Sequence, residues 1–304
     1  MDQNLLTWCV LAPASVAVLG SLCGWWIDRK LVSGAESQSD GQTLSRSSGM
    51  IACGWWAAIC AGFYSSDSVA LWPDEAWARA LWPILAAAIF VSPHFKPSGI
   101  LSGAVFSTNH TVRSDTPGLW VLVSLIAVAT ASLVMPTGEG WDDMISLHQP
   151  WIAAVTLATI CNSFAIHRMS QRGANRWLPL VMLAGLASSA IICASAYGAL
   201  AQACFSAIVA TAVIAIFSAG GKLLAPSALI LPCSLFATTM IAAGRFYSYA
   251  EIAPGDYGLA MFAPAIIALV DRIFTDKSPA LRISIAATTA IAIVGYIAYR
   301  FLLS

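Results

Sequence analysis

Apolar residues in this chain come in long unbroken runs, with no strict alternation between them. Ten runs stand out, at about 5–27, 49–65, 79–95, 118–135, 150–167, 177–197, 203–220, 223–243, 257–272 and 283–301. Most of them reach the roughly 20 residues that a helix needs to cross a bilayer. Lipid offers no partner to a free N–H or C=O, so a spanning segment must satisfy its own backbone, and an α-helix does. The period-2 pattern of a membrane β-barrel is missing. The pattern predicts an all-α fold, a polytopic helix bundle of about ten transmembrane helices. The third run is the weakest, because its apolar centre is short and contains Pro83.

Composition agrees with the pattern. Of 304 residues, 59% are hydrophobic and 10% charged, and the mean hydropathy is +0.76. A soluble domain carries about 25% charged residues, so a soluble protein is excluded. The start MDQNLLTW lacks the basic region of a signal peptide, and the first helix is expected to be retained. Polar stretches are too short for a second domain. We expect one domain over residues 1–304, with halves at 1–167 and 177–304 that show no sequence repeat.

Lys and Arg positions orient the bundle. The connection around 167–176 carries Arg168, Arg172 and Arg176 between two apolar runs. Basic loops stay on the cytoplasmic side. Placing this loop inside puts both termini outside, with twelve basic residues on the inner side and three (Arg79, Arg245 and Arg300) on the outer. The formal net charge of zero conceals a molecule that is positive inside and negative outside. Tryptophans support the same frame: Trp8, Trp72, Trp77, Trp82, Trp141 and Trp151 fall near outer boundaries, and Trp25, Trp26, Trp55, Trp56, Trp120 and Trp177 near inner ones. Indole rings anchor at headgroup level. The expected location is the inner (plasma) membrane.

Candidate chemistry is sparse. No run carries an ionisable residue at its centre, where a charge usually marks function. Asn162 is the one amide well inside a run, an interhelical hydrogen-bonding group or a substrate contact. Pro232 frees a carbonyl within the eighth run. On the outer side, acids and aromatics gather in three loops: Trp72, Asp74, Glu75 and Trp77; Glu139, Trp141, Asp142 and Asp143; then Arg245, Tyr247, Tyr249, Glu251, Asp256 and Tyr257. Carboxylates beside aromatic rings suit an organic cation or a divalent metal. The candidate binding residues are therefore Asp142, Asp143, Arg245, Glu251, Asp256 and Asn162. Arg245 is expected to pair with Glu251 or Asp256 beneath an aromatic-lined depression.

Eight cysteines form no CxxC motif and lie mostly in apolar runs. They read as small buried hydrophobes, neither disulfides nor a zinc site. His94, His110 and His167 share the inner side without ligand spacing. No catalytic residue, metal ligand or cofactor is expected. No basic face interleaved with aromatics is present, so nucleic acid is not an expected partner. The expected partners are the lipid bilayer, a small-molecule ligand and a membrane-protein partner.

Three functional readings remain. A small-molecule or lipid transporter comes first. An accessory or scaffold subunit of a membrane complex is second, supported by small-residue runs such as 184–190 that let helices approach closely. A membrane-embedded enzyme using the outer acidic loops is third. The orientation is directly testable. Reporter fusions at either terminus should read the outer face, and a tag within 167–176 the inner face. An active cytoplasmic reporter at the N-terminus would reject ten spans in favour of nine.

Overall fold

The computed structural model describes residues 7–34, 40–64, 73–95, 117–138, 140–141, 144–172, 174, 177–219, 226–248 and 252–303. Of 27–34, 40–47, 64 and 303 it describes the backbone alone. The regular elements among these residues are all helices. They are α1 (Ala12–Gly34, led in by a π turn at Thr7–Leu11), α2 (Asp40–Tyr64) and α3 (Ala76–His94). Next come α4 (Pro117–Val134), α5 (Ile145–Gln171), α6 (Leu178–Ala196) and α7 (Gly198–Ala219). Last are α8 (Pro226–Tyr247), α9 (Pro254–Ile273) and α10 (Pro279–Leu302).

Eight helices are long and apolar enough to cross a membrane. One is α3, from the weakest run of the sequence. Its Pro83 does little harm, because the rod starts as a 3-10 turn and becomes α-helical only at Leu81. A proline in a first turn removes a donor that has no partner there anyway. The other two helices fall short for different reasons: the apolar part of α2 is only Ser48–Phe63, and α9 carries Asp256, Asp271 and Arg272 near its ends.

The helices surround α8, whose apolar stretch is buried throughout within the chain. Among them, α1, α2 and α7 pack together as one group, and α5, α6, α9 and α10 as another. The tight α6–α7 hairpin, turning at the extended residue Tyr197, joins the two groups. A helix buried all round must hide its own polar groups. Ser234, Thr238 and Thr239 return their hydroxyls to carbonyls of the preceding turn, at Ile230, Ser234 and Leu235, which is how such residues are tolerated inside helices.

Close approach depends on glycines. A Cβ on Gly54 would stand 3.0 Å from the Gly20 Cα, and one on Gly185 would stand 2.8 Å from Pro264 Cγ. Small residues allow backbones to touch, and that contact replaces the hydrophobic drive that lipid removes. The sequence CGWW occurs twice, at 23–26 and 53–56, and the copies are used unequally: Gly54 meets Gly20, not Gly24. Trp55 and Trp77 are also not belt anchors, since both are fully buried. Trp55 donates to Thr211 Oγ1 at 2.8 Å. It lies mid-rod because α2 starts at Asp40, nine residues before the apolar run.

Ion pairs clamp the α9–α10 hairpin at both ends. At its turn, Arg282 donates to Asp271 twice, Nε to Oδ1 at 2.9 Å and Nη2 to Oδ2 at 2.7 Å. These side chains are 7% and 0% exposed, and the guanidinium lies over the Trp177 ring of α6. Arg282 is one of the twelve basic residues that the sequence assigns to a single side, yet it is not left in water. The helices bring it onto Asp271, and a buried charge is tolerated only when paired and fully hydrogen-bonded. At the open end, Asp256 accepts from Tyr296 at 2.9 Å and from Arg300 at 3.0 Å.

The Gly54 contact can be tested by size. Gly54→Val is expected to destabilise the bundle by about 1–3 kcal/mol, the usual cost of overpacking, in denaturant unfolding of the detergent-solubilised protein. Gly118→Ala, where a Cβ meets nothing within 4 Å, should stay within about 0.5 kcal/mol of the parent.

Candidate functional site

Two helices with internal prolines, α5 and α9, lie side by side. Between them runs an apolar cleft of about 230 Å³, lined by Pro150, Trp151 and Ala154 from α5 and by Pro254, Gly258, Met261 and Phe262 from α9. The lining runs from Pro150 and Pro254, toward the helix starts, to Met261, near the middle of α9; these two ends are termed its mouth and its floor. Gly258 leaves the α9 wall without a side chain, and Ala154 keeps the α5 wall thin.

The floor meets a break in the α9 backbone. Pro264 has no N–H to donate to the carbonyl four residues back, and its ring crowds that carbonyl. One residue on, the Ala265 N–H donates to Asn162 Oδ1 at 3.0 Å. Asn162 Nδ2 donates to the Met261 carbonyl at 2.8 Å. An unbroken helix would join Ala265 N–H to Met261 C=O directly. The amide of α5 is therefore inserted into the α9 ladder, a recognised cause of helix bending. Asn162 is 1% exposed, and both ends of its amide are used. Gly185 of α6 makes room for the Pro264 ring on the opposite side. Thr159, one turn earlier on α5, shares a 2.8 Å hydrogen bond with Thr238 of α8.

The three loops rich in acids and aromatics converge in part. The Tyr247 hydroxyl donates to Glu75 Oε2 at 3.0 Å. Its ring lies 5.3 Å from Trp141 and stacks on Tyr197 at 6.0 Å. Residues from all three loops named in the sequence thus meet, joined by Tyr197 from the α6–α7 turn. Further rings continue this layer: Phe246 touches His148 and Trp151, and Tyr257 touches Trp151 and Phe301. Through Trp151 the layer reaches the cleft mouth.

The candidate residues separate. Asp256 is held by Arg300 and Tyr296 across the α9–α10 pair, so it is not the partner of Arg245. Arg245 is half-buried near the end of α8. Asp142, Asp143 and Glu251 lie outside the described residues. So do Glu139, Trp72 and His110. At the far end of α5, buried His167 contacts the Phe95 and Trp120 rings and the Gln171 amide. No group of three or more His, Cys, Asp or Glu among the described residues is placed to hold a metal ion.

Sequence reasoning found Asn162 but missed its partner. The available signal was Pro264, a proline inside an apolar run, which predicts loosened backbone groups that a neighbouring polar side chain must satisfy. Comparison with known proteins adds nothing to this picture: no family model, no curated protein and no solved structure matches the chain.

The insertion predicts non-additive energetics. Asn162→Ala should destabilise by about 1–3 kcal/mol, because it strands a buried N–H and C=O. Pro264→Ala should reduce that loss, since an unstrained helix can close the Ala265 to Met261 hydrogen bond itself. Unfolding of the two single variants and the double variant in detergent measures this coupling. Strict additivity would show that the amide does not repair the proline break.

Proposed function

We propose that this protein is a plasma (inner) membrane transporter for a lipid or another small lipophilic molecule. It has ten spans with both termini on the outer side. The observation that carries the reading is the α5–α9 cleft ending on the Asn162-bridged break of α9. The walls are apolar and suit a hydrocarbon chain. The floor is the one place where α9 holds its own ladder through a neighbour. Discontinuous helices at mid-membrane are a common element of secondary transporters, where they supply polar backbone groups and points of bending.

The scaffold reading loses its sequence support. The small residues at 184–190 pack within the chain: Gly185 receives Pro264, and Ser188 and Ser189 are buried against their own carbonyls. They do not single out a surface for a partner. The enzyme reading rests on the outer acidic loops, of which Glu139, Asp142, Asp143 and Glu251 lie outside the described residues.

The test is reconstitution into liposomes containing a phospholipid with a fluorescent acyl chain. Quencher added outside follows exchange between leaflets. The protein should accelerate exchange, and Gly258→Trp, which fills the cleft, should reduce the acceleration at least tenfold while leaving unfolding unchanged. No acceleration over empty liposomes, together with a stoichiometric protein partner retained on purification, would replace this reading by the subunit one.

A further inference from the structure

Two thiols meet where α6 and α7 cross near their shared turn. Cys193 lies three residues before the end of α6 at Ala196, and Cys204 six residues after the start of α7 at Gly198. Their sulfurs are 3.7 Å apart, in contact. Both residues are fully buried. A short polar chain aligns them: Ser189 Oγ donates to Cys204 Sγ at 3.6 Å, Cys204 Sγ to Cys193 Sγ, and Cys193 Sγ to the Met240 carbonyl of α8 at 3.3 Å. The expectation that all eight cysteines are isolated hydrophobes overlooked this pair, because a spacing of eleven residues forms no motif.

We propose that Cys193 and Cys204 are a redox modification site that closes to a disulfide. Two S–H bonds break and one S–S bond forms. Two electrons and two protons pass to a membrane-permeant two-electron acceptor. Burial keeps water-borne oxidants and thiolate chemistry away, so the site answers to oxidants that partition into the bilayer. Closing about 1.7 Å of separation to reach the bonded length of about 2.0 Å needs only small side-chain rotations across touching helices. The position gives the bond a consequence. The α6 helix packs with α5, α9 and α10, whereas α7 packs with α1 and α2. A disulfide here ties the two groups together and limits their relative motion.

The experiment treats the purified full-length protein with diamide, whose N=N bond takes up the two electrons and two protons and becomes a hydrazine. The protein is then denatured without reductant and alkylated with N-ethylmaleimide. Intact mass should show six adducts after oxidation against eight before it, for the eight cysteines of the chain. Peptide mapping should find Cys193 linked to Cys204. Cys193→Ser and Cys204→Ser should each give seven adducts with or without diamide, and the oxidised parent should unfold at a higher temperature than either. Eight adducts on the oxidised parent, or a cross-link between other cysteines, would overturn the proposal.

Discussion

The amide of Asn162 holds the centre of this bundle. It occupies the place of one backbone hydrogen bond in α9, donating to Met261 O and accepting from Ala265 N–H. In a membrane interior those two groups have no water to fall back on, so whatever opens the helix must be matched by a partner on a neighbour. Pro264 opens it, Asn162 matches it, and Gly185 admits the proline ring. Three helices are fixed in mutual register by these contacts. The cleft between α5 and α9 follows from the same arrangement, because Met261 is both its floor and the acceptor of the amide.

Charge is used at the ends of helices and withheld from their centres. Asp271 and Arg282 close the turn of the α9–α10 hairpin, and Asp256 and Arg300 close its mouth. The buried pair contributes little net stability compared with apolar residues of the same shape, yet removing one partner would leave a stranded charge. Its role is therefore registry: with both ends pinned, α10 cannot slide along α9. This matters for a helix such as α10, most of whose surface the rest of the described chain leaves uncovered.

The aromatic residues divide between two tasks. Trp141, Tyr197 and Tyr247 form a layer at one set of helix ends with Glu75, consistent with amphipathic rings at an interface. Trp55 and Trp77 instead fill the core, where Thr211 satisfies the Trp55 indole. Position along the chain does not separate these tasks. Both kinds lie near the ends of apolar runs, and only the helix that packs over them decides which are covered.

The sequence by itself determined that this chain forms apolar helices, roughly where they lie, and that Asn162 is the polar group inside them most in need of a partner. Those properties are local: run length, the absence of alternation, and one amide among aliphatic neighbours. Tertiary structure alone decided that α8 is the central helix, that Arg282 is buried against Asp271, that Asp256 belongs to Arg300 and not to Arg245, and that Cys193 touches Cys204. Each is a contact between helices distant or oppositely directed in the chain. In lipid every helix is apolar around its circumference, so no polar face announces which side turns inward. That choice is made by glycine contacts, a proline break and paired charges, whose partners become visible only once the helices are assembled.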